Sequence, residues 1–492
     1  AKAGIPPIYP HVMTLEGPRA FAGVTWEYGC DVPRSKALSS PHRAEEAVLT
    51  DTVAEQEIAR DRGLLRAVGT WGLAASIVNG VVGAGIFSLP AAMTLAAGDR
   101  APLAYIICAI AMTAVVICFA EASSRVPTSG GSYGYVEAAF GPLAGFVAGV
   151  LMWLSSVLAC GGIAAAMAAG IGELVPAIAN PVVRSLLILI VIGGLAWVNI
   201  RGVAPAARFI GVITLIKLLP LLLFIVVGGV ALLHLPASAA GPPGSADGFG
   251  RAVILALFAF CGMETPLGVS GEVSQPQRTI PRALFLSMSF VVILYIALQL
   301  IAQGLLGAKL GEAPTPLADA IAVVSPGMGL VLLVGASVSR LGWIASDIFG
   351  APRVLFAFAR DRLLPAGLAA VHPRTRTPHV AIIVHSVLAA LFAITGTFEQ
   401  LAILSALATA GLYFLSCAAA WRLSRSGVAV FGKPLGFRGL PVFAILGMVS
   451  MVVLVALAEW SEIIGLVLVI LGSALFFYVN GLQERRLGRV GR

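Results

Sequence analysis

Trp71-Gly72-Leu73-Ala74-Ala75-Ser76-Ile77-Val78-Asn79-Gly80-Val81-Val82-Gly83-Ala84-Gly85-Ile86-Phe87-Ser88-Leu89-Pro90 opens an apolar run that is interrupted in its middle. Glycine costs a helix ~1 kcal/mol relative to alanine, so Gly83 and Gly85, two residues apart, invite unwinding. A second apolar run, starting near Arg251, is interrupted in the same way at Phe258-Ala259-Phe260-Cys261-Gly262-Met263-Glu264. Inside a bilayer, unwound backbone survives only where it lines a cavity or is buried in protein. Two Gly-interrupted spans at corresponding places in a chain point to a transporter's substrate site. The plainer alternative is that the glycines only permit close helix crossing.

Composition supports a membrane setting for both runs. Of the 492 residues 59% are hydrophobic and 11% charged. Apolar runs near 20 residues, the length that crosses ~30 Å of hydrocarbon, recur about twelve times: 70–96, 102–123, 143–171, 183–199, 207–233, 251–270, 283–304, 328–350, 378–396, 400–421, 439–458 and 461–480. The expected fold is an all-α integral membrane protein of about twelve helices, with helices 1 and 6 discontinuous. Spans 1–5 and 6–10 each begin with a break and have opposite orientations because five is odd, which makes a 5+5 inverted repeat with two added helices.

The net charge of +8 is not a nucleic-acid signature, because its carriers fall on one side of the spans. Arg125, Arg201, Arg278, Arg282, Arg353, Arg360, Arg374, Arg422 and Arg438 are among those in one set of loops, against Arg100, Arg184, Arg251 and Lys309 on the other. The positive-inside rule then puts both termini in the cytoplasm, in a plasma or inner membrane. Residues 1–65 are polar and read as a disordered cytoplasmic tail, residues 66–480 as the transport domain, and 481–492 as a basic tail. The six cysteines are scattered without metal-ligand spacing and read as small packing residues. Gly141, Gly145 and Gly149 form a small-xxx-small ladder for close helix packing in span 3.

The break in span 1 exposes amide N–H groups near Ala84, Gly85 and Ile86. A helix N-terminus carries about half a positive charge and free donors, and so accepts a carboxylate. Carbonyls around Val81, Phe258, Cys261 and Gly262 point to the same gap and suit an ammonium group. Donors beside acceptors describe a site for a zwitterionic amino acid or a related amine.

Ionisable residues at membrane depth are functional candidates by default. Lys217 lies two to three turns into span 5, where low dielectric disfavours the charged form, so it is a candidate carrier of a coupling proton; the alternative is a lysine snorkelling to the interface. Glu264 is either a gate or a partner for Arg340 or for backbone donors. Arg340, in mid-span 8, needs a partner: Glu264, Asp347 seven residues on, or a substrate carboxylate. Glu121 reads as an interface or loop-capping group. Of the histidines only His385 falls inside a span, and its surroundings in sequence assign it no task.

These stretches together resemble the amino acid–polyamine–organocation permeases over about residues 66–480. Gly83-Ala84-Gly85-Ile86-Phe87 is similar to that family's G-S/A-G-I-F break. Pro127-Thr128-Ser129-Gly130-Gly131-Ser132-Tyr133 is similar to its P-x-S-G-G-x-Y segment, and Asn199-Ile200-Arg201-Gly202 to its N-x-x-G signature. Phe260 to Glu264 followed by Glu272, Pro276, Arg278, Pro281 and Arg282 resembles its span-6 stretch, and Arg353 through Arg360, Asp361 and Pro365 its loop after span 8. The resemblance implies a LeuT-like fold and secondary transport of amino acids by alternating access. It implies that Ala84, Gly85 and Ile86 take the substrate carboxylate, that Val81, Phe258 and Cys261 offer carbonyls to its amino group, and that Phe258 is a lid. Lys217 resembles a lysine whose ammonium stands where sodium-coupled relatives hold their ion, which favours H+ as the coupling ion. Ala84 departs from a serine seen in several members, and Arg340 lies outside the shared pattern. The expectation is a proton symporter with no further cofactor, rather than an amino acid/amine exchanger or a non-transporting sensor; no constellation for an enzyme is visible within the spans.

Overall fold

A computed structural model of the chain describes residues 68–486, apart from 84, 128–130, 173–174, 202, 235–243 and 431–432. The expected tail 1–65 and the candidate Ala84 therefore lie outside the described residues. In chain order the helices are α1 (Thr70–Val81), α2 (Leu89–Ala97), α3 (Ala101–Arg125), α4 (Gly131–Phe140), α5 (Pro142–Gly172), α6 (Pro181–Arg201), α7 (Val203–His234) and α8 (Ala246–Phe260). They continue with α9 (Pro276–Leu306), α10 (Pro316–Ala322), α11 (Pro326–Gly350), α12 (Pro352–Arg360), α13 (His379–Thr395), α14 (Phe398–Arg425), α15 (Leu440–Ala456) and α16 (Trp460–Arg486). The last helix thus runs six residues beyond 480, into the stretch read as a tail. Among the described residues the β pairing amounts to one isolated bridge, Val68 to Val273.

Among the described residues eight stretches are long and apolar enough to cross a membrane, and α13 and α15 are shorter apolar helices. The chain is a multi-pass membrane protein, and its burial pattern fits lipid on the outside. Large side chains such as Leu186, Ile190, Val226, Ile293 and Leu468 are exposed, while Lys217, Glu264, Arg340, Asp347 and His385 are buried. In water that distribution would leave a very large apolar surface uncovered; in lipid it costs nothing.

Both expected breaks are present. α1 ends at Val81 and a 3-10 turn, Gly85–Phe87, precedes α2. α8 ends at Phe260, and 3-10 structure resumes at Pro266–Glu272, so only the first half of the run 251–270 is α-helical. The broken elements are held centrally: α9 packs on α1 and α3, α14 on α5 and α8, and α11 on α7 and α5.

The expected glycine ladder is corrected. Gly141 is not on the span; it is the link between α4 and α5, with φ +90. Gly145 does allow a close approach, but to α4 of the same hairpin, where a Cβ would lie 2.6 Å from Glu137 Cβ. Gly149 faces Phe358 of α12. Glu121 caps a loop, as read: it pairs with Arg125 at 2.7 Å and accepts the Phe437 N–H at 3.1 Å.

Candidate functional site

The two breaks cross at glycines. A Cβ on Gly262 would lie 2.6 Å from the Gly80 carbonyl oxygen, and a Cβ on Gly80 2.7 Å from that of Gly262. Gly262 also has φ +110, a conformation that disfavours every residue with a Cβ. The Cys261 N–H closes α8 on the Leu257 carbonyl at 3.0 Å, and Gly262 then turns the chain away.

Three successive carbonyls at the end of α1 receive side-chain donors from three different helices. Lys217 Nζ (α7) donates to Asn79 at 2.5 Å, Trp343 Nε1 (α11) to Gly80 at 3.1 Å, and Tyr295 OH (α9) to Val81 at 2.9 Å. Helix ends leave such carbonyls without intrahelical partners, so these bonds are what an opened α1 requires. The Val81 carbonyl also accepts the Gly83 N–H at 2.7 Å. The Val81 carbonyl thus accepts two hydrogen bonds at the edge of the break.

Beside the crossing lies a cavity of about 80 Å³. Gly83, Gly85 and Ile86 border it from the first break, and Phe258, Cys261, Gly262 and Glu264 from the second. Met152, Ser155 and Ser156 of α5, Tyr295 of α9, Trp343, Ser346 and Asp347 of α11, and Ser405 of α14 complete much of the wall. The Phe258 ring covers the first break: a Cβ on Gly85 would lie 2.8 Å from Phe258 Cε1. Phe398 meets that ring edge to face at 5.9 Å. On the serine side, Ser155 Oγ contacts Ser405 Oγ at 2.9 Å and Thr409 Oγ1 at 2.6 Å.

The expected ion pairs of Arg340 do not form. Glu264 accepts from Tyr413 OH at 2.7 Å and from the Gly262 N–H at 3.1 Å. Asp347 accepts from His385 Nε2 at 2.9 Å and from Ser156 Oγ. Arg340 Nη2 donates to Ser88 Oγ at 2.8 Å, while its Nε and Nη1 have no hydrogen-bond partner among the described residues. Arg340 is 1% exposed, a buried guanidinium with no carboxylate partner among the described residues.

The family model for amino acid permeases matches residues 68–481 of this sequence. The chain belongs to the amino acid permease family. It is 33% identical to an uncharacterized transporter of Mycobacterium tuberculosis, over 68% of this chain and 74% of the relative. It is 25% identical to the branched-chain amino acid permease BcaP of Bacillus subtilis, over 85% of this chain and 93% of the relative. It is 28% identical to the serine/threonine exchanger SteT of the same species, over 70% of this chain and 80% of the relative.

Within this permease, the structure brings Val81, Gly85, Ile86, Phe258, Cys261, Gly262 and Glu264 to one cavity. Lys217 and Arg340 stand outside it: Lys217 reaches the α1 end through Asn79, and Arg340 meets Ser88 just before α2. Sequence reasoning missed Gly80 as the crossing partner, Tyr295 and Trp343 as carbonyl donors, Tyr413, and the buried Asp347–His385 pair. Asp347, His385 and Cys160 place ligand atoms within 4.8 Å of one another, a set that could hold a metal ion. The readable signal was Asp347 itself, a carboxylate in an apolar span; its partners come from α5 and α13, far off in sequence.

Proposed function

We propose that this permease imports amino acids across the plasma or inner membrane by alternating access, coupled to protons. The observation that carries the reading is one cavity bordered by the 3-10 turn after the first break and by the C-terminal end of α8. Gly85 and Ile86 open the 3-10 turn before α2, and the first amides of a helical turn have no partner within that turn and carry partial positive charge. The end of α8 at Phe258–Gly262 supplies carbonyls and partial negative charge. A zwitterion fits between them, carboxylate to Gly85 and Ile86, ammonium to the carbonyls of Phe258 and Cys261. Phe258 then acts as the lid that must move to load Gly85.

Architecture follows the same reading. The eight long spans contain α3, α5, α6, α7, α9, α11, α14 and α16. Adding the broken α1/α2 and α8 and the shorter α13 and α15 makes twelve spans in a LeuT-like 5+5 inverted repeat, with cytoplasmic termini.

Lys217 is the proposed proton carrier. As ammonium it holds the Asn79 carbonyl at 2.5 Å; as amine it would keep only a weakened hold, and the end of α1 would be released to move. The coupling ion on this reading is H+. Arg340 adds positive charge at the α2 end.

Exchange is the second reading, supported by the likeness to SteT. Uptake into proteoliposomes decides between them. Accumulation of labelled amino acid that needs an inward proton gradient and collapses with a protonophore is expected. Uptake that needs only internal counter-substrate would establish exchange and return Lys217 to a structural role.

A further inference from the structure

We propose that Asp347 is the side-chain recognition group of the cavity and selects amino acids that carry a second, cationic amine. The inference rests on the cavity being an amino-acid site, and it deepens that reading by naming the substrate class.

Asp347 lines the cavity one helical turn beyond Trp343 and is held from behind. His385 Nε2 donates to Oδ2 at 2.9 Å and Ser156 Oγ to Oδ1. The contacts also indicate the form of the pair. His385 is fully buried, and its Nδ1 has no hydrogen-bond partner among the described residues. The Nε2–H tautomer leaves Nδ1 with only an unused acceptor lone pair. An imidazolium would bury an unpaired cationic N–H, the more costly defect. The pair therefore presents a carboxylate with its negative charge uncompensated by His385.

No cationic side chain among the described residues supplies that charge. Among the described residues His385 is the ionic partner of Asp347 within 4.0 Å, while Lys217 is bound to Asn79 and Arg340 to Ser88. A buried anion needs a counter-charge, and the cavity is the open direction from which one can arrive. The neighbouring hydroxyls are already paired, Ser155 with Ser405 and Thr409 and Ser156 with Asp347, so the Asp347 carboxylate is the charged group on this wall that a ligand can meet. His385 and Ser156 are positioning residues for Asp347.

The test is equilibrium binding of labelled ligand to the purified full chain, with ligands in length-matched pairs: 2,4-diaminobutyrate against norvaline, and ornithine against norleucine. A charged hydrogen bond of about 1.5–3 kcal/mol corresponds to a preference of roughly 10- to 150-fold for the diamino acid. Asp347→Asn, near in shape, should reduce that preference to within about threefold while neutral ligands bind as before. Equal binding of both members of each pair by the unaltered protein would overturn the proposal and leave the amino-acid site standing; so would a variant in which both members lose affinity equally. If neither member of any pair binds, and neutral α-amino acids also fail, the amino-acid reading itself falls. A neutral ligand that binds only with uptake of one proton, lost in Asp347→Asn, would reassign the carboxylate to coupling and overturn the proposal.

Discussion

Gly80 and Gly262 meet backbone to backbone, each leaving no room for a Cβ on the other. This contact sets the two breaks at one level and makes a shared cavity possible. Neither residue tolerates a methyl group, but for unequal reasons. Gly262 has φ +110, so Gly262→Ala meets both backbone strain of about 1–2 kcal/mol and a clash. Gly80→Ala meets only the clash. Both variants should unfold at lower temperature in detergent than the unaltered protein, Gly262→Ala more so. Equal midpoints would mean the crossing is looser than the structure has it.

Gly85 makes a prediction about binding rather than stability. Its Cβ position lies 2.8 Å from the edge of the Phe258 ring and 3.5 Å from Leu89 Cδ1. Gly85→Leu should fill the carboxylate end of the cavity and push the ring aside, lowering affinity for every amino acid by more than about tenfold, since ~1.4 kcal/mol is tenfold. Normal binding by this variant, measured by calorimetry, would move the site elsewhere.

The broken spans were legible because glycines inside apolar runs are local signals, and so was Lys217, a charge among apolar neighbours. Partner choice was not. Arg340 and Asp347 share a helical face, but seven residues separate them by about 10 Å along the axis, too far to pair. Asp347 instead found His385, 38 residues on, and Glu264 found Tyr413, 149 residues on. Gly80 reads as an ordinary helical residue until its crossing partner is known. Glu121 was legible as a cap, because its position at a helix end restricts what it can reach.

Arg340 separates two physical pictures. Removing one member of a buried ion pair costs about 3–5 kcal/mol, because the other charge is stranded. Arg340 has no such partner among the described residues, and two of its nitrogens are unpaired. Arg340→Met keeps the packing length and removes an unpaired buried charge. It should leave the thermal midpoint unchanged or raise it, and leave amino-acid binding as in the unaltered protein, because Arg340 stands outside the cavity wall. A large fall in midpoint, with uniform loss of binding, would mean that the guanidinium is structural.

Lys217 decides whether a proton does work in this permease. Its Nζ sits 2.5 Å from the Asn79 carbonyl, at the end of α1. If the ammonium form closes that end and loss of the proton frees it, then Lys217→Ala should still bind substrate, because Lys217 is outside the cavity wall. It should equilibrate substrate down its gradient but fail to accumulate it when an inward proton gradient is imposed. Lys217→Arg, which stays charged, should hold α1 closed and show binding without turnover. The measurement is uptake in proteoliposomes at matched protein content, with and without the gradient, beside binding in detergent. Gradient-driven accumulation by Lys217→Ala would remove Lys217 from the coupling mechanism, and the buried carboxylates Glu264 and Asp347 would then be the next groups to test.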